Sequence, residues 1–223
     1  MNYFAHYFFD HQPENHYYNA GLLMPDFARV ADGAKRINIH LDFDSDVHPT
    51  LHQLNKGSQQ HYHTDARFHN STFFKHQTSR LDELFALHNF PRHNQRLWFL
   101  SHILFEVLLD RVLIQHHPQK LDEFYASLQN VQLDTVIEFL AHSGKEGKGR
   151  FSNFWNGFLE SQYMQYYVKD ESFLYSINRI LQRAAQPELD LLQSEALLNI
   201  VHEMEKELPA QVSTLQQELA SKG

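Results

Sequence analysis

The stretch from Leu97 to Leu113 constrains this chain most. Leu97, Phe99, Leu100, Ile103, Leu104, Val107, Leu108, Val112 and Leu113 fall on nearly every side of a helix. A helix that is apolar all round is stable only where other elements cover it. The pattern predicts a central buried helix over residues 95–115, stopped before Pro118. It is too short in apolar run for the roughly 18 residues a membrane span needs, so no membrane association is expected.

The punctuation around it reads the same way. Gly 8 and Pro 7 are low counts in 223 residues and favour long uninterrupted elements. Residues 1–9 are an aromatic run that fits a buried helix or strand. Pro25 suits the first turn of a helix or a kink. Residues 40–56 look irregular around Asp46-Val47-His48-Pro49, and residues 59–76 hold no Gly or Pro but few apolar positions. Helices are expected over 80–90, 119–129 and 132–141, with one or two long helices over 151–185. Ser143 to Gly149 reads as a flexible loop. It lacks the preceding strand and the following Ser or Thr of a phosphate-binding loop. Leu189, Leu192, Leu197, Leu198, Val201 and Met204 mark another helix, and a polar one follows Pro209. No alternation of period two has convincing length. The expected fold is all-α: a single helical-bundle domain over 1–186, with a C-terminal helical extension over 187–223.

Composition narrows the chemistry. With Cys 0 there is no thiolate metal site, disulfide or cysteine nucleophile, which suits a reducing compartment. The opening lacks the basic region of a signal peptide, so a cytoplasmic location is expected. A net charge of −8 argues against nucleic acid as a partner. Histidine is the unusual residue: of 17, only His142 and His202 lie beyond residue 118.

Two segments carry metal-ligand residues at helical spacing. His61, Asp65 and His69 form one stripe; His102, Glu106 and Asp110 form another, on the most apolar helix. Residues four apart share a helix face. His, Asp and Glu are the side chains that bind Mn²⁺, Fe²⁺ or Zn²⁺ when thiolates are absent. Burying such groups without partners costs several kcal/mol each, so a cation or a polar network involving Arg111 or Arg96 is expected there. Eight residues rise about 12 Å along a helix. One ion therefore does not easily take a whole stripe, and outer members would serve a second ion, a substrate or the ligands' own partners. His6 and Asp26 are further candidates, each a polar residue inside an apolar run.

These residues carry a resemblance. Met1-Asn2-Tyr3-Phe4-Ala5-His6 and Gly21-Leu22-Leu23-Met24-Pro25-Asp26-Phe27 resemble the opening motifs of the bacterial acyl-carrier-protein phosphodiesterases. His61-x-x-x-Asp65 is similar to that family's His-x-x-x-Asp, and Ser101-His102-x-x-x-Glu106-x-x-x-Asp110 to its Asp-bearing helix. The resemblance runs to about residue 185. It implies an all-helical fold related to the His-Asp phosphohydrolases and a divalent metal, usually Mn²⁺. It also implies hydrolysis of the phosphodiester joining phosphopantetheine to acyl carrier protein, which would be the partner. The matching positions are His6, Asp26, His61, Asp65, Glu106 and Asp110, with His69 and His102 as added ligand candidates. His61, Asp65, Glu106 and Asp110 would make up the metal centre, with His6 as a further ligand and Asp26 as a water-orienting carboxylate; His61, Asp26 and Asp65 would be the catalytic residues. The chain departs from the pattern at His69 and Glu106, where Asp is usual, at His102, where Gly is usual, and at Arg111, where His is usual.

Two other readings compete. One is a phosphohydrolase acting on a small phosphoester: the 19 Lys and Arg show no dense cluster to receive an acidic carrier protein. The other is a non-catalytic His-rich helical protein that binds metal or a partner.

Overall fold

The computed structural model describes residues 1–32, 37–91, 96–145 and 148–220. Gln95 of the expected central helix, Glu146 and Gly147 of the expected loop, and residues 221–223 of the expected extension lie outside them. The chain is all-α, with no strand among the described residues. In chain order the helices are α1 (Tyr3–Asp10), α2 (His16–Gly21), α3 (Met24–Asp32), α4 (Pro49–Asn70), α5 (Thr72–Leu87) and α6 (Leu97–His116). Then come α7 (Pro118–Gln129), α8 (Leu133–His142), α9 (Lys148–Ser161), α10 (Asp170–Arg183), α11 (Leu191–Glu207) and α12 (Val212–Ala220). Short 3₁₀ turns cover Tyr163–Val168 and Leu208–Gln211. Among the described residues, no helix is long and apolar enough to cross a membrane.

The helices gather into two compact units, each built from separate stretches of chain. The α1 unit comprises Tyr3–Ala66 and Gln119–Tyr163; the α6 unit comprises Met1–Asn2, Arg67–Pro118 and Met164–Gly223. Most of α4 belongs to the first, and its last residues, from Arg67, to the second.

Aromatic packing organises the α1 unit. Phe27 of α3 meets Phe154 and Phe158 of α9 edge-on, with centroids 4.9 Å away in each case, and Tyr3 at 5.0 Å. Phe4 and Tyr7 of α1 meet Phe124 of α7 at 6.0 and 5.2 Å. Edge-to-face contacts fix ring orientation as well as burying area, so they set how α1 and α3 are rotated. The second device is a glycine crossing. Gly21 at the end of α2 and Gly57 in α4 lie so close that a Cβ at either would overlap backbone: the Leu54 carbonyl oxygen for Gly21, the Tyr18 carbonyl oxygen for Gly57. Only residues without a Cβ allow the two helices to meet there. Ser58 Oγ donates across the same crossing to the Gly21 carbonyl at 3.1 Å.

In the α6 unit, α6 is buried on almost every side, as its sequence requires. It packs against α5, α10, α11 and the Leu208–Gln211 turn. Arg111, 3% exposed, is a buried polar residue of α6 that ties these helices together. Its Nε donates to Glu205 of α11, its Nη2 donates to Asp170 of α10 at 2.8 Å, and its guanidinium lies 5.0 Å over the Phe173 ring. Arg111 therefore pairs with α10 and α11.

Breaking a fully buried ion pair from one side costs about 3–5 kcal/mol. Asp170 is 39% exposed and keeps His202, and Glu205 keeps Gln115, so Arg111→Ala should lower the urea midpoint by less than that. Desolvation works to raise the Asp170 carboxyl, but its bonds to Arg111 and His202 prevail and hold it below its usual value. A depressed carboxyl contributes stability that is present above its unfolded pKa, roughly 4, and is lost as pH falls through the folded value. Asp170→Asn should therefore show a smaller loss of stability between pH 5 and pH 3, read by urea titration at each pH; an unchanged acid loss would count against this pairing.

Candidate metal centres

Among the described residues, two groups of side chains could hold a metal ion, one in each unit. The first is His6, Asp26 and His61, whose ligand atoms all lie within 4.8 Å of one another. Divalent first-row ions space their ligand atoms by roughly 3–4 Å, so the donors are close to what one ion requires. Helix α1 delivers His6, fully buried, between the anchored Phe4 and Tyr7. Helix α3 delivers Asp26 from its first turn, next to the anchored Phe27. Helix α4 delivers His61, 4% exposed. The His6 and His61 rings stack at 3.8 Å, 19° from parallel.

The protonation of His61 follows from its surroundings. Its Nδ1 lies 2.7 Å from the Leu22 carbonyl oxygen, which can only accept. The Nδ1 therefore carries the hydrogen, and in the neutral ring Nε2 presents a lone pair. Burial is the dominant influence and pushes the imidazole below its usual pKa, against the opposing pull of Asp26, the Leu22 bond and Asp65. A neutral histidine whose other nitrogen donates to a carbonyl is the usual form of a metal-ligating imidazole. Asp65, one turn beyond His61 and partly exposed, has Oδ1 3.9 Å from His6 Nε2.

The second group is His69, His102 and Glu106. Glu106 Oε1 lies 3.0 Å from His69 Nε2 and 3.1 Å from His102 Nε2, and the Met1 ammonium is 3.3 Å from the same oxygen. Burial works to raise the Glu106 carboxyl, but the ammonium and the two imidazoles outweigh it and hold it well below the usual range.

The structure thus sorts the residues expected from sequence. His6, Asp26 and His61 converge, with Asp65 beside His6. His69, His102 and Glu106 converge separately, so the His61-Asp65-His69 stripe divides between the two groups. Asp110 joins neither: it is fully buried one turn beyond Glu106, and the Asn2 amide donates to it at 2.8 Å.

Three contributors escape a reading of side chains alone: the Leu22 carbonyl, the Gly57 crossing and the Met1 ammonium. Gly57 carries the one legible signal, a glycine inside a helix without any break around it. No family model, curated protein or solved structure matches the chain.

Proposed function

We propose that the protein is a metal-dependent phosphodiester hydrolase whose centre is His6, Asp26 and His61, with Mn²⁺ the first candidate ion and Fe²⁺ or Zn²⁺ the next. The observation that carries this reading is the His61 arrangement: Nδ1 bound to the Leu22 carbonyl at 2.7 Å, in a ring stacked on His6, within a group of N, O and N donors inside 4.8 Å. The ordered resemblance of His6, Asp26, His61 and Asp65 to the acyl-carrier-protein phosphodiesterases supports the choice of reaction.

A bound divalent ion supplies Lewis-acid polarisation of a phosphoryl oxygen and acidifies water. The protein's own residues do the rest. The Leu22 carbonyl holds His61 in one tautomer. The His6–His61 stack and the aromatic anchors of α1 and α3 fix the donors in place. Asp26 adds the anionic donor and orients water. Asp65, partly exposed and 3.9 Å from His6, would act as the general base. A chain without cysteine suits this work in the reducing cytoplasm.

The test is turnover of an aryl phosphodiester by Mn²⁺-loaded protein, run beside holo acyl carrier protein. Chelator-sensitive cleavage of the aryl ester supports the class. Release of phosphopantetheine narrows the substrate to the carrier protein, and aryl cleavage without it leaves a small phosphodiester. No turnover of either with Mn²⁺, Fe²⁺, Co²⁺ or Zn²⁺ overturns the reading.

A further inference from the structure

We propose that His69, His102 and Glu106 form a second, independent metal site, which takes a first-row dication in the Fe²⁺ to Zn²⁺ range. Its donors are His69 Nε2, His102 Nε2 and Glu106 Oε1. Their separations are 3.1 Å between the nitrogens, 3.0 Å from His69 to Glu106 and 3.1 Å from His102 to Glu106. The three atoms form a nearly equilateral triangle. Metal–ligand bonds of about 2.1 Å span about 3.0 Å when perpendicular and about 3.4 Å at tetrahedral angles. One ion therefore reaches all three from roughly 1 Å above their plane, with little movement of any donor.

Hydrogen bonding alone serves this triangle poorly. Two Nε2–H groups donating to the same Oε1 would leave like dipoles facing each other across the 3.1 Å nitrogen–nitrogen edge. A cation lets all three lone pairs point inward. Two imidazoles and a carboxylate on one face leave the remaining coordination positions open. The two nitrogen donors favour a transition ion over Mg²⁺ or Ca²⁺, which prefer oxygen. The Met1 ammonium competes for Glu106 but is a monocation that cannot use the two imidazoles.

The surroundings hold the donors in register. Ser71 Oγ accepts from the Phe74 backbone N–H at 2.9 Å and so fixes the start of α5. The Phe74 ring then meets both imidazoles edge-on, at 4.9 Å for His69 and 5.2 Å for His102. The two imidazoles lie 15° from parallel. Unlike the buried His6 and His61, the His102 side chain is 39% exposed, so an ion and further ligands reach this site from solvent.

The test uses full-length, untagged protein stripped with chelator and titrated with Co²⁺, followed by the visible d–d band and by competition with a chromophoric chelator. The wild type should bind at this site with a band that His102→Ala and Glu106→Gln each remove, weakening Co²⁺ binding at least about 100-fold, while the helical circular dichroism stays unchanged. His102 is the most exposed of the three, so its variant is the one that should keep the fold. Phe74→Leu, which spares every donor, should weaken binding about tenfold. The band should survive His61→Ala, so failure of the His6–Asp26–His61 centre and failure of this one are read separately. A Co²⁺ titration that is the same in folded His102→Ala and Glu106→Gln as in the wild type overturns the proposal.

Discussion

His61→Ala is expected to lower metal-dependent phosphodiester turnover about a thousandfold while leaving the protein folded. The group removed is the buried imidazole whose Nε2 the Leu22 carbonyl leaves bare, 2.7 Å away through Nδ1. If the ion contributes several kcal/mol to the transition state, losing it at about 1.4 kcal/mol per factor of ten gives that scale. The loss should lie in turnover rate and in the concentration of Mn²⁺ needed for half-maximal activity. His61→Gln keeps volume and an acceptor and should recover part of the metal affinity. Equal rates for wild type and His61→Ala would remove this centre from the reaction. A parallel Asp65→Ala should slow turnover with little change in Mn²⁺ requirement, because Asp65 stands beside His6 and outside the three converging donors.

Gly57→Ala should destabilise the protein by about 3 kcal/mol, the upper end for overpacking a well-filled contact. The sign is diagnostic. In an ordinary helix interior the same change stabilises by about 1 kcal/mol. Here the added methyl overlaps the Tyr18 carbonyl, which is backbone and cannot swing aside. Relief requires α2 and α4 to separate, and that draws the Leu22 carbonyl away from His61 one turn along α4. The substitution should therefore lower the urea midpoint and also weaken Mn²⁺ binding at a site it does not touch. A midpoint equal to or above the wild type would show that the crossing tolerates a side chain.

The central helix was legible because its signal is hydrophobicity itself: from Leu100 to Leu113 apolar residues fall on nearly every side, and all but His102 and Glu106 of that stretch are buried. Pro118 was legible as the stop of that helix, and in the structure it also opens α7; Pro25 lies in the first turn of α3. Helix α4 was legible only in its second half, through the His61-Asp65-His69 spacing. Its buried face is Leu51, Leu54, Asn55, Gly57, Ser58, His61, Thr64 and Phe68, helical in period but mostly small or polar in chemistry. A search for apolar stripes passes over it, and its first turn begins within the stretch that reads as irregular. Helix α5 likewise starts at Thr72, earlier than the apolar residues of 80–90 indicate, because Ser71 caps it.

The site was legible in part. His6 and Asp26 stand out as polar residues within apolar runs, and His61 by its spacing to Asp65. What spacing could not give is the division of donors. Four residues of helix rise about 6 Å, enough for Asp110 to find the Asn2 amide while Glu106 finds two histidines. Which neighbour each reaches depends on residues distant in sequence.

The interleaving of the two units bears on how the protein is made. A ribosome releasing this chain delivers α1, α2, α3 and most of α4 first, yet these residues lack the Phe124, Phe154 and Phe158 rings that clamp α1 and α3 until Gln119–Tyr163 has emerged. About 50 residues separate Ala66 from Gln119, a wait of several seconds at roughly 5–20 residues per second. The α6 unit waits longer still, for the segment from Met164 onward. Nascent chains arrested near residue 118 should therefore be protease-sensitive and drawn to chaperones, and a fragment ending there should give neither unit.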